Sequence, residues 1–316
     1  MLHHPAPILL FVYNRPAQTR RTLEALANAT LADESVLYIY ADGPGTDASE
    51  GDRQRVAEVR EVIRQRKWCK EVIITESATN KGLANSIIEG VTQQVNQHGT
   101  VIVLEDDLVV AKGFLQYMND ALVKYESQNR VMQVCGFQFP IGVRAEKAAL
   151  FLPITASWGW ATWKRAWASF DPEAKGYERL KTDPELARKF DLNGTIKYTD
   201  MLIDQMERKK ISSWAIRWWW TVFKIDGISL FPDNSLVNNV GFGKDATHTK
   251  GPNPFRGNTF NPDYSITHFP DVIEASEPHF LRLQDMYRKI YPENESIFDK
   301  ILRKCREVMY SISERG

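Results

Sequence analysis

Four short apolar runs, each followed by a stretch of helical spacing, constrain this chain more than any other feature. The first is ILLFVY (8–13), followed by RPAQTRRTLEALANA. There Thr19, Leu23, Leu26 and Thr30 recur at helical spacing, and Pro16 stands where a first helical turn tolerates it. The second is VLYIYA (36–41), followed by the turn DGPG and a charged helical stretch near 51–66. The third, EVIIT (71–75), precedes LANSIIEGVTQQVNQ, and the fourth, VIVL (101–104), precedes FLQYMNDALVKY. Strands alternating with helices predict βαβ units and a mostly parallel sheet with helices on both faces.

Polar clusters follow all four runs. They are Asn14-Arg15-Pro16, Asp42-Gly43-Pro44-Gly45, Asn80-Lys81-Gly82 and Glu105-Asp106-Asp107. Each alone also reads as turn chemistry, because Asn, Asp, Gly and Pro favour turns and acids favour helix N-termini. Together they lie at carboxyl ends of parallel strands, which share one rim in an open α/β sheet and bind ligands there. Three adjacent carboxylates at a strand end repel one another, and a hard divalent cation with oxygen ligands relieves that. Mn²⁺ and Mg²⁺ take one or two protein carboxylates and leave positions for phosphate oxygens. In extended geometry Glu105 and Asp107 share a face and Asp106 takes the other. Arg15 and Lys81 add positive charge for a diphosphate.

Other chemistries lack their marks. No Gly-x-Gly-x-x-Gly follows the first strand, and the P-loop, zinc-spaced Cys/His and Gly-x-Ser-x-Gly patterns are missing. Forty Lys and Arg balance 40 Asp and Glu, so nothing global supports a nucleic-acid partner. The three cysteines are scattered and suggest a reducing compartment. The start lacks a signal-peptide pattern, and no run approaches the roughly 18–20 apolar residues of a membrane span. The expected location is cytoplasmic.

Beyond about residue 135 the strand–helix alternation is expected to end. Eight of the nine tryptophans fall in 158–220. Trp160, Trp163 and Trp167 follow helical spacing and read mostly as core, whereas at least one of Trp218, Trp219 and Trp220 is expected to face a cleft. Residues 241–262 read as a long loop. SIFDKILRKCREVMYSI (296–312) reads as a basic amphipathic helix, packed on the domain or lying on an anionic membrane surface. The expected organisation is a βαβ half over 1–135, a second half of the same domain over 136–270, and a helical extension over 271–316.

FVYNRP (11–16), YADGP (40–44), NKGLANSI (80–87) and VLEDDLVV (103–110), in that order, resemble the nucleotide-sugar half of GT-A glycosyltransferases. More narrowly they resemble bacterial relatives of N-acetylglucosaminyltransferase I, whose metal motif is also Glu-Asp-Asp. SWGWATWKRAW (157–167), SSWAIRWWW (212–220) and SLVNNVGFGKDATH (235–248) resemble acceptor-side motifs of the same proteins. The resemblance implies a GT-A fold and a metal-dependent, inverting transfer from a UDP-sugar to a glycan or lipid-linked glycan in surface-polysaccharide assembly. It implies that Arg15 and Asp42 line the nucleoside pocket and that Asn80, Lys81 and Gly82 lie near the nucleotide or sugar. Glu105 and Asp106 would face sugar and ribose, and Asp107 would bind Mn²⁺ or Mg²⁺. Trp160, Trp214 and Arg217 would belong to the substrate site, and His248 to a segment closing over the donor. Where the family has its catalytic Asp, this chain has Ser212-Ser213. Ser213 also reads as a helix cap. Asp204, one helical turn after Asp200, is the substitute candidate for the general base. A nucleotide-sugar-binding protein without turnover and a sugar nucleotidyltransferase are the rival readings.

Overall fold

The computed structural model describes residues 4–242, 253–255 and 260–292. His248 and the basic stretch 296–312 lie outside the described residues. In chain order the elements are β1 (Ile8–Val12), α1 (Pro16–Ala27), β2 (Val36–Ala41), α2 (Glu50–Arg64), β3 (Glu71–Glu76), α3 (Leu83–His98), β4 (Thr100–Glu105), β5 (Leu108–Val110), α4 (Phe114–Lys124) and β6 (Val131–Cys135). They continue with β7 (Ala149–Leu152), β8 (Trp160–Trp163), α5 (Lys164–Trp167), α6 (Arg179–Thr182), α7 (Pro184–Phe190), α8 (Tyr198–Met206), α9 (Trp214–Lys224), β9 (Ile228–Pro232), β10 (Val237–Asn239) and α10 (Glu277–Ile290).

Eight strands form one sheet in the order β3-β2-β1-β4-β8-β6-β9-β7. The four strands predicted from the apolar runs are all present and pair in parallel, β3 with β2, β2 with β1, and β1 with β4. Burial follows position in the sheet. β1 is buried at every residue, as a central strand covered on both faces must be; β2 alternates; the edge strand β3 is largely exposed. Helices cover both faces. α1 packs beside α2, while α3 packs on β1 and β4 and meets α9.

After residue 135 the regular strand–helix alternation ends, as expected, yet the sheet itself continues. β8 enters antiparallel between β4 and β6, and β9 and β7 complete the far side. The two halves of the chain therefore share one sheet. Trp160 and Trp163 lie on the strand β8 rather than on a helix, and only Trp167 is helical. Their burial stands as expected (0%, 2% and 4% exposed). A continuous apolar strand and a buried helix segment give the same short-range signal, which is why spacing misassigned them.

The triplet Trp218-Trp219-Trp220 is also corrected. All three are buried, and none lines the cleft described below. α9 is enclosed on several sides: Trp218 packs on Trp167, Trp219 stacks on Phe190 at 5.7 Å, and Trp220 meets Phe190 edge-on at 5.4 Å. A helix buried all round can bury three successive residues, which a helix against one neighbour cannot. Among the described residues, no helix is long and apolar enough to cross a membrane.

Candidate active site

The strand order reverses direction beside β1. The chain runs outward through β2 and β3, then returns to place β4 on the other side of β1. Such a switch point leaves a crevice at the carboxyl ends of the two strands. A cleft of about 380 Å³ lies there, within the size range of small-molecule sites. Its walls include Tyr13, Asn14 and Arg15 after β1, Asp42 after β2, Asn80 and Gly82 after β3, and Glu105, Asp106 and Asp107 at the end of β4. The four polar clusters thus meet in one cavity.

The acidic segment leaves the strand at Glu105. Asp106 and Asp107 form a turn before β5, so the strict alternation expected of an extended segment is broken and all three acids line the cleft. Three elements fix the turn. The Thr22 hydroxyl on α1 donates to the Asp106 carbonyl (2.9 Å), and the Val240 N–H donates to the Asp107 carbonyl (2.8 Å). The Tyr13 N–H approaches the Asp106 carboxylate at 3.4 Å. Arg15 Nη1 donates to Asp107 Oδ2 at 2.8 Å and lies 3.8 Å from Asp106 Oδ1.

Burial, then the neighbouring Asp107, pushes the Asp106 carboxyl up to about 7, against the pull of Arg15 and the Tyr13 N–H. Burial, then Asp107 and Asp106, holds Glu105 well above the usual carboxylate range. Arg15 pairs with Asp106 and Asp107, and crowding of three carboxyls at one strand end is relieved by a cation. The residues present fit a divalent ion: the Asp107 carboxylate lies in the cleft wall beside Glu105 and Asp106, an oxygen donor set of the kind such ions take. No group of three His, Cys, Asp or Glu side chains converges as a closed metal cage among the described residues. A site built on one or two carboxylates has no such cage.

Asp42 is half structural. Its Oδ1 accepts from the N–H groups of Gly43 and Lys81 (both 2.9 Å), and Oδ2 accepts from the Gly82 N–H (3.0 Å). It therefore pins the 80–82 turn to the end of β2. Gly82 carries that turn into α3 with φ of 79°, a left-handed value that favours glycine. The floor beside Asp42 is aromatic: Phe11 stacks on Tyr40 with ring centres 5.1 Å apart, and Gln94 donates to the Tyr40 hydroxyl.

Other predicted residues do not reach the cleft. Lys81 sends its ammonium to Glu89 at 2.7 Å and contributes only its backbone near Asp42. Trp160 is fully buried and stacks on Trp214 at 4.8 Å, so both belong to the core. Arg217 donates to the Ser213 and Pro172 carbonyls. Asp204 sits on α8 with its carboxylate bonded to Arg208 (2.8 Å), outside the lining. Ser213 caps α9, accepting from the Ile216 N–H.

Residues that sequence reasoning did not single out for the site also line the cleft, Tyr13 and Tyr40 from the first half and Trp158, Asn239, Gly241 and Phe242 from the second, together with Ser212 from the acceptor-side segment. Trp158 packs edge-to-face on Phe137 at 4.5 Å and on Phe242 at 5.5 Å. The prior signals for Gly241 and Phe242 were the motif SLVNNVGFGKDATH that contains them and the long loop that they open.

No protein-family model matches the chain, and no curated protein matches it. Among solved structures, mouse xyloside xylosyltransferase 1 in its apo form is similar with a TM-score of 0.36 and 13% identity, over 70% of this chain and 82% of that one. A galactosyltransferase, LgtC, in complex with donor and acceptor sugar analogues, has a TM-score of 0.33 and 11% identity, over 56% of this chain and 65% of that one. A UDP-glucose pyrophosphorylase complexed with UDP-glucose has a TM-score of 0.26 and 11% identity, over 48% of this chain and 64% of that one.

Proposed function

We propose that the chain is a GT-A-type glycosyltransferase that moves a sugar from a nucleotide sugar, UDP-linked, to a hydroxyl of a glycan or lipid-linked glycan, with inversion. One observation carries this reading: Asp107 lies in the same cleft as Asp42 and pairs with Arg15 at the β1/β4 switch point. In this reading the stacked Phe11 and Tyr40 form the nucleoside end, and the acidic turn forms the diphosphate end. Asp107 would hold Mn²⁺ or Mg²⁺, and Arg15 would face the diphosphate from the other side.

A bound divalent ion supplies charge stabilisation for the diphosphate as it leaves. Arg15 adds a fixed cation aimed at the same growing charge. The acceptor hydroxyl oxygen forms a bond to the anomeric carbon and gives up its proton to solvent, while the bond to the diphosphate oxygen breaks and its electron pair leaves with the diphosphate. Trp158, Phe242 and Ser212 also line the cleft, and in this reading they form its sugar end.

The rival of binding without turnover is favoured by one feature. Among the described residues, the carboxylates lining the cleft are Asp42, Glu105, Asp106 and Asp107, and Ser212 stands on the acceptor-side segment. Donor hydrolysis separates the readings. With UDP-sugars and Mn²⁺, wild type is expected to release UDP, and Asp107→Ala to lose at least about 100-fold of that rate. Tight UDP-sugar binding by wild type with no release, with or without glycan acceptors, would establish the binding protein instead.

A further inference from the structure

We infer that Gly241 is a positioning residue for Asp107, and that it ties the second half of the chain to the metal-binding carboxylate. The inference rests on the proposed role of Asp107. Gly241 follows β10, which pairs antiparallel with β5 so that Asn239 lies opposite Leu108, one residue after Asp107. Two hydrogen bonds fix the segment over the acidic turn. The Val240 N–H donates to the Asp107 carbonyl, and Asn239 Oδ1 accepts from the Gly241 N–H, both at 2.8 Å.

A side chain on Gly241 could be accommodated only if the Asp107 carboxylate moved. A methyl carbon on Gly241 would lie 1.9 Å from Asp107 Oδ2 and 2.7 Å from its Cγ, and 3.0 Å from Arg15 Nη1. Gly241 is not in the left-handed region, so space rather than backbone conformation demands glycine here. A side chain there would therefore push on both members of the Asp107–Arg15 pair. Its lack of a side chain leaves the carboxylate room to stand where it does in the cleft, where it would hold the cation. Phe242, the next residue, seats against Trp158, so the same short segment touches the metal side and the sugar side of the cleft.

The test measures Mn²⁺ binding directly, by titration calorimetry or by the electron paramagnetic resonance signal of free Mn²⁺, together with thermal unfolding. Gly241→Ala is expected to fold with an unchanged melting temperature and to weaken Mn²⁺ binding about tenfold or more, the range for residues that orient a ligand. In an Asp107→Asn background the same change should add nothing. Equal Mn²⁺ affinity in wild type and Gly241→Ala overturns the inference and leaves the metal reading intact. Absence of Mn²⁺ binding in wild type overturns the metal reading and the inference with it. If Gly241→Ala does not fold, Asn239→Ala decides: it frees the Gly241 N–H without adding bulk, and unchanged Mn²⁺ affinity in that variant overturns the inference.

Discussion

Arg15 has two jobs that pull in opposite directions. It neutralises Asp107 at 2.8 Å, and in the proposed reaction it faces a diphosphate. Removing its charge should therefore help one ligand and hurt the other. Arg15→Met is expected to tighten Mn²⁺ binding, because a competing cation is gone. It is expected to weaken UDP binding in the presence of saturating Mn²⁺ by about tenfold, the worth of a charged hydrogen bond; calorimetry reads both signs. The same corner sets a pH dependence. Asp106 is held up to about 7 in the folded state, above the roughly 3.9 of an unfolded chain. Between those values the folded state binds more protons than the unfolded one, so stability falls as pH rises from about 4 to about 7. Thermal unfolding without divalent ions should show that slope, and Asp106→Asn should flatten it. The acidic triplet was visible in sequence, but its distribution was not. Extended alternation assigns Asp106 away from its neighbours, whereas the turn held by Thr22 and Val240 brings all three into one cleft.

At the scale of elements, Ser213 serves the start of α9. Ser213 stands where the resemblance places a catalytic acid, and here its hydroxyl accepts from the Ile216 N–H while its own N–H donates to Gln205. A cap of this kind contributes about 1 kcal/mol. Ser213→Ala should lose about that much by urea unfolding, and Ser213→Asp should keep it, since Asp caps as well as Ser. A larger loss in Ser213→Asp would mean that Ser213 is not acting as a cap. The helix start was legible from Ser213 and the apolar run after it. The burial of Trp218, Trp219 and Trp220 together was not, because it depends on Phe190 and Trp167 arriving from elements 28 and 51 residues upstream of Trp218, as the numbering shows.

The whole molecule behaves as one sheet rather than two joined halves. β8 supplies the neighbour that both β4 and β6 need, and β9 supplies the other neighbour of β6. A fragment of residues 1–135 would expose β4 along one edge and leave β6 unpaired. Open, apolar strand edges invite association with other chains. The fragment is expected to be insoluble or aggregated on expression, as read by size-exclusion chromatography. A monomeric, cooperatively folding fragment would show that the first half is independent.

Local sequence determined the four parallel strands, the helices between them and the shared rim of polar clusters. Each of those depends on residues within a few positions of one another, through apolar runs, helical spacing and turn chemistry. Tertiary structure alone decided which residues complete the cleft. Gly241 reaches Asp107 across 134 positions of chain, by the numbering, because β10 pairs with β5. Trp160 is core and Trp158 is cleft because β8 threads between β4 and β6. Pairing between distant strands leaves no periodic trace in either segment, so only the folded chain reveals which side chains it brings together.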